Sequence, residues 1–180
     1  MTIHRFSLTP FQSEHSIPNV EIQGTLSRHH NRLTISYEIA GEIDNWVIPP
    51  LADVPTRQTH LWQTTCLEFF LGPKGQSPYW EFNLSPSTDW NIYKFERYRQ
   101  GMRPESAIAV LPFEVHRFAN IFQLILSVDL SPLVAAEQGL EMGVASVLQS
   151  IEGDLTYWAL HHPGDEADFH NREGFTIELL

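Results

Sequence analysis

Apolar and polar residues alternate over short stretches of the chain. A period of two predicts strands, because successive strand side chains point to opposite faces. Two such stretches, residues 66–71 and 79–85, carry Leu67, Phe69, Leu71, Trp80, Phe82 and Leu84 at one parity. Cys66, Glu68, Phe70, Tyr79, Glu81, Asn83 and Ser85 fall at the other. The intervening Gly72-Pro73-Lys74-Gly75-Gln76-Ser77-Pro78 is rich in turn formers, so the two stretches read as antiparallel neighbours. Residues 20–26 and 33–39 flank the polar Arg28-His29-His30-Asn31-Arg32 as a second hairpin, with Leu33, Ile35, Tyr37 and Ile39 on one face. Residues 121–130, 142–149, 156–160 and 175–179 add further strands.

Two regions break this pattern. Residues 43–60, interrupted by Pro49-Pro50 and Pro55, read as an irregular surface connection of the kind that borders binding sites. Residues 90–99 read as a strand of ambiguous alternation, with Lys94 and Glu96 sharing the parity of Trp90 and Ile92, and Arg97 and Arg99 that of Tyr93 and Phe95. One short helix is expected over residues 132–138, where Ser131 can cap, Pro132 fits the first helical position and Gly139 ends the run. With no repeat, low-complexity tract or linker, the expectation is a single domain over residues 1–180. It is an all-β, antiparallel two-sheet β-sandwich of roughly nine to eleven short strands with one short helix.

Composition fits this picture: 42% of 180 residues are apolar, and twelve prolines with ten glycines favour strands and turns over long helices. A formal charge of −11 repels phosphate backbones and anionic headgroups, so neither nucleic acid nor a membrane surface is an expected partner. Cys66 is the sole cysteine, which excludes an internal disulfide and suits a reducing compartment. The N-terminal Met1-Thr2-Ile3-His4-Arg5-Phe6 lacks the apolar core of a signal peptide, and a cytoplasmic location is expected.

The chemistry gathers on the polar parity of residues 66–85. Rings stack on sugar faces while carboxylates and amides bond hydroxyls, so Glu68, Glu81 and Asn83 suit a polyhydroxylated ligand. Trp90 follows the loop Ser85-Pro86-Ser87-Thr88-Asp89 and is a candidate for the rim, whereas Trp80 and Trp158 read as core. The segments LWQTTCLEFF, YWEFNLSPSTDWNIYKFERYRQGM and YWALHHPGDEADFH resemble the DOMON-like domain family, related to the family-nine carbohydrate-binding modules. The resemblance implies a β-sandwich with a pocket used for sugars or for haem. For the sugar case it implies Trp62 as the first stacking ring with Glu68 as its acid, and Arg97 or Arg99 as basic partner. The second ring is implied in the C-terminal loop, where relatives carry tryptophan and this chain has Phe169 beside Asp168 and His170. Haem-binding relatives use a methionine and a histidine, and neither Met102 nor Met142 matches that position, so no cofactor is expected.

The reading is a non-catalytic domain that binds a carbohydrate or small polar sugar derivative. A glycoside-acting enzyme is the rival, since Glu68 and Glu81 set directly opposite would hold their β-carbons about 5 Å apart. An intracellular interaction module with a degenerate pocket is the other. His161-His162-Pro163-Gly164-Asp165-Glu166-Ala167-Asp168-Phe169-His170 contains metal-ligand types in no recognised spacing, and a polar turn is expected there in preference to a metal site. Cys66 lacks a base placed near it by the sequence, so a nucleophilic role is not expected.

Overall fold

A computed structural model of the chain describes residues 2–11 and 19–180; Met1 of the N-terminal segment lies outside the described residues. Among the described residues twelve strands form: β1 (Ile3–Pro10), β2 (Val20–His29), β3 (Arg32–Gly41), β4 (Cys66–Pro73), β5 (Tyr79–Leu84), β6 (Trp90–Phe95), β7 (Arg103–Pro104), β8 (Phe113–Arg117), β9 (Ile121–Asp129), β10 (Leu140–Gln149), β11 (Leu155–Ala159) and β12 (Ile177–Leu179). The ladders between these described strands are all antiparallel. They run in one path, β7-β6-β5-β4-β10-β11-β1-β2-β3-β9-β8, with β12 on β10 beside β11.

The path curls at β1. Ile3 to Leu8 pair with β2, but Thr9 and Pro10 pair with Ala159 and Trp158 of β11, so one strand joins the two halves. Both halves feed one apolar core. The face of β3 predicted to be apolar, with Phe122, Leu124, Leu126 and Val128 of β9, meets Leu67, Phe69, Leu71, Trp80, Phe82 and Leu84 there. The Tyr37 hydroxyl of β3 donates across this core to the Glu68 carbonyl at 2.8 Å. β2, β3 and β9 bury alternate residues and leave the others towards solvent, the usual state of an antiparallel sheet with one wet face.

The other half behaves differently. Every residue of β4 and β5 is buried, so the second face of these strands is covered as well. The cover comes from the segments after β6 and β11, and beneath it Phe70, Tyr79, Tyr93, Phe95, Ala145, Ala159 and Phe175 form a second apolar cluster, with Trp62 and Phe169 packed on it. Gly143 on β10 makes room for this cover: a β-carbon there would lie 2.9 Å from Cδ1 of Phe175, too close for a packed ring.

Residues 132–138 form turns and not the expected helix. Seven residues give little return on the cost of helix nucleation. Here a distant side chain also competes for the carbonyls: Arg28 of β2 donates to the Ala135, Ala136 and Gln138 oxygens at 3.2, 3.1 and 2.6 Å. Among the described residues helical structure is limited to three single 3-10 turns, and no helix is long and apolar enough to cross a membrane.

The irregular segment before β4 is pinned by Arg57. Its guanidinium bonds Asn91 Oδ1, the Glu105 carbonyl and the Ile108 carbonyl at 2.8, 2.9 and 2.7 Å and lies 4.2 Å from the Trp90 ring centroid. Arg57→Ala strands these acceptors together, so urea unfolding should show a loss of about 2–4 kcal/mol. A loss under about 0.5 kcal/mol would contradict this anchoring role.

Candidate functional site

Strand register decides what meets on the covered face. One row runs Tyr93, Glu81, Phe70, Gly143 across β6, β5, β4 and β10; the next runs Asn91, Asn83, Glu68 and Ala145 across the same strands to Ala159 on β11. The two acids therefore stand diagonally, Glu68 opposite Asn83 and Glu81 opposite Phe70, and not directly opposite, the register that would set their β-carbons about 5 Å apart as a retaining glycosidase uses. Small residues at Gly143, Ala145 and Ala159 keep the sheet face low. Above it opens a cavity of about 600 Å³, bounded by Trp62, Glu68, Phe70, Glu81, Phe95, Arg99, Met102, Tyr157, Phe169 and His170 among others.

Trp62 sits on the single 3-10 turn Leu61–Gln63, entered through His60 in the left-handed region at φ 62°. The turn is tied down behind it, where Thr64 donates to Gln149 Oε1 at 2.8 Å and the Gln149 amide donates to Thr65 Oγ1 at 3.1 Å. The indole meets the Tyr93 ring edge-on at 5.8 Å and remains half-buried. Trp46, Trp80, Trp90 and Trp158 are all buried, so Trp62 alone among the five tryptophans is available to a ligand.

Both carboxyls are out of water, Glu68 at 2% and Glu81 at 5% exposure. Burial, followed by the neighbouring Glu81 carboxylate, pushes the Glu68 carboxyl well above its ordinary range. Burial also raises Glu81, to about 7, against the opposing hydrogen bond from Asn83 and the field of Arg99. That bond runs from Asn83 Nδ2 to Glu81 Oε1 at 2.8 Å. Glu68 Oε1 is buried with no hydrogen-bond partner among the described residues.

His170 completes the floor. Burial, with the Arg99 charge, lowers its imidazole to about 4, so the ring is neutral at neutral pH. Its Nδ1 lies 2.8 Å from the Tyr79 hydroxyl, which also accepts from the Arg99 amide at 3.2 Å. On the other side of the ring, Nε2 lies 3.7 Å from Glu81 Oε2. Asp168 accepts from Tyr98 at 2.6 Å and from Arg99 Nη2 at 2.8 Å. Burial alone would raise its carboxyl, but these bonds hold it below the ordinary aspartate value.

Of the residues expected to meet at the site, Trp62, Glu68, Glu81, Arg99, Phe169 and His170 line this cavity. Asp168 lies behind them, holding Arg99. Three others stand elsewhere. Asn83 is fully buried with its amide donated to Glu81, so it positions a carboxylate and does not offer itself to a hydroxyl. Trp90 points the opposite way into the main core, 4% exposed beneath Arg57, because it pairs with Leu84 and takes that residue's face. Arg97 bonds Gln100 at 2.7 Å on the exposed turn that begins where β6 ends at Phe95. Met102 and Tyr157 line the cavity without having been singled out for it. Tyr157 carries a signal in hindsight, since it alternates with the core residue Trp158.

Among the described residues no group of three His, Cys, Asp or Glu is arranged to hold a metal ion. Cys66 is fully buried, and burial, reinforced by Glu68, pushes its thiol well up. A thiol-specific reagent should therefore modify the folded protein at least about a hundredfold more slowly than the urea-unfolded chain. Equal rates would contradict the burial.

No protein-family model matches the sequence, and no curated protein matches it. The fold has solved counterparts. A suspected carbohydrate-binding protein from Bacteroides uniformis superposes with a TM-score of 0.71 at 13% identity, over 96% of this chain and 84% of the other. A family-nine carbohydrate-binding module from Caldicellulosiruptor kristjanssonii in complex with cellotriose gives 0.55 at 11% identity, over 97% and 81%. The glucose complex of a family-nine module from that organism gives 0.52 at 10%, over 93% and 81%. The chain thus has the all-β fold seen in these modules.

Proposed function

We propose that this protein is a non-catalytic, DOMON-like binding domain whose ligand is a carbohydrate or small polar sugar derivative. One observation carries the reading: two half-buried rings, Trp62 and Phe169, and two buried carboxyls, Glu68 and Glu81, line the same cavity. Rings offer stacking area to the apolar face of a pyranose, and carboxyls accept from its hydroxyls. The cavity volume of about 600 Å³ lies within the range of ordinary small-ligand sites. The shared fold with modules solved in complex with glucose and cellotriose supports the same reading.

Binding without turnover is favoured by how the acids are held. The Glu81 carboxyl is tied to Asn83, on a sheet position diagonal to Glu68, so the two are not set opposite one another as the close pair of a retaining glycosidase would be. A reducing intracellular setting belongs to the same proposal and suits the single buried thiol.

Isothermal titration with a panel of neutral and charged mono- and oligosaccharides tests the reading. Saturable binding with a Kd of about 1 μM to 1 mM is expected for at least one of them. Absence of saturable heat across the panel would contradict it.

A further inference from the structure

We infer that the sugar taken by this cavity carries a positively charged amino group, seated against the Glu68 carboxylate. The inference rests on the carbohydrate reading and narrows it.

The first ground is an unused acceptor. Glu68 of β4 lines the cavity, and its Oε1 is buried and finds no donor among the described residues. Buried acceptors are almost always satisfied, and one left empty at a cavity wall marks where a ligand donor belongs. The nearest polar neighbours do not fill the role: Asn83 gives its amide to Glu81, the Tyr37 hydroxyl gives its proton to the backbone carbonyl of Glu68 from the far side, and the Cys66 thiol beside the Glu68 carboxyl is only a weak donor.

The second ground is charge. Glu68, Glu81 and Asp168 bring three carboxyl groups to the site, and Arg99 is the cation facing them. Its guanidinium is spent on Asp168 at 2.8 Å. His170 is held neutral with Nδ1 engaged by Tyr79, and Tyr93 and Cys66 nearby bring no positive charge. The Glu68 and Glu81 pair therefore lacks a counter-ion of its own. A sugar hydroxyl could supply one donor to Oε1; an ammonium supplies a donor together with the positive charge that the pair needs in order to ionise.

The third ground is the wall. Trp62, Tyr157 and Phe169 line the same space with rings that are not fully buried, and ring faces attract cations. An N-acetylated sugar of similar shape has the donor without the charge and is the natural control. Because burial without a matching cation raises both carboxyls, an ammonium seated there pulls them towards ionisation and releases a proton on binding.

The experiment is isothermal titration of the full chain and of Glu68→Gln at about pH 7 and low salt, with glucosamine, glucose and N-acetylglucosamine as probes. Glucosamine is expected to bind at least about tenfold more tightly than either neutral sugar, with proton release seen as a dependence of the heat on buffer ionisation enthalpy. In Glu68→Gln, which keeps shape and loses charge, the preference should shrink below about threefold. Glucose or N-acetylglucosamine binding as tightly as glucosamine would overturn the inference and leave the carbohydrate reading standing. So would a preference that survives in Glu68→Gln, or glucosamine binding to the parent without proton release. No binding of any sugar would overturn both.

Discussion

Trp62→Ala should weaken sugar binding by about ten- to a hundredfold while leaving the fold intact. The loss combines the apolar area a ring covers on a pyranose with the geometry of stacking, each worth on the order of 1 kcal/mol or more. The fold should survive because the indole is half-buried on a single 3-10 turn and packs at the margin of the second cluster, outside the main core. A fall in unfolding free energy of about 1 kcal/mol is expected. Trp62→Phe should retain part of the affinity, since a smaller ring stacks less area. An unchanged Kd in a folded Trp62→Ala protein would remove the indole from the site.

Glu81→Gln should stabilise the protein above neutral pH. The Glu81 carboxyl is raised from its ordinary 4.5 to about 7 in the folded state, chiefly by burial. Between these values the unfolded chain has released the proton while the folded chain still holds it, so folding becomes less favourable as pH rises through that window. Below 4.5 both states are protonated and the contribution vanishes; above about 7 both are ionised and the loss is complete. A shift of this size corresponds to roughly 3 kcal/mol. The amide oxygen introduced by the substitution can still accept from Asn83. The variant's gain over the parent should therefore grow from near zero at about pH 4 to roughly 3 kcal/mol at about pH 8, read from urea unfolding. Glu68→Gln should shift stability in the same direction, since the same burial acts there. A difference independent of pH, or a variant less stable than the parent at pH 8, would contradict this assignment. Stability gained by neutralising a site carboxyl is the ordinary cost of holding a polar group ready for a ligand.

The carboxylate face was legible in the sequence because parity is a local property. Leu67, Phe69 and Leu71 against Glu68 and Phe70, and Trp80 and Phe82 against Tyr79 and Glu81, need only the period of two, and the structure divides them between two clusters along that line. What depended on distant contacts was not legible. The end of β6 at Phe95 and the left-handed Arg99 at φ 52° turn the chain so that Arg99 reaches the cavity and Arg97 does not. Trp90 takes the core face because of its register with Leu84 and the arrival of Arg57 over its ring. The expected helix after Ser131 satisfied every local rule, and the carbonyls it would have used go to Arg28, more than a hundred residues away in sequence. Asn83 was read as a free amide, and only its place in the row beside Glu81 shows it to be committed.

Besides the two-residue β7, two longer strands escaped notice for a different reason. β1 contributes Phe6 and Leu8 to the core, but His4, Arg5 and Thr9 dilute its alternation. β8 is an edge strand with Glu114, His116 and Arg117 exposed, so its pattern is mostly polar. Edge strands bury little, and their sequences say correspondingly little.

The most direct test of sugar binding at this cavity is a titration followed through the five indole N–H resonances of the tryptophans in a two-dimensional nitrogen–proton spectrum. Addition of a binding sugar should shift the Trp62 indole progressively and to saturation, while the buried indoles of Trp46, Trp80, Trp90 and Trp158 stay near their starting positions. No movement of the Trp62 resonance with any sugar, or saturable movement confined to the buried indoles, would contradict a carbohydrate site at Trp62.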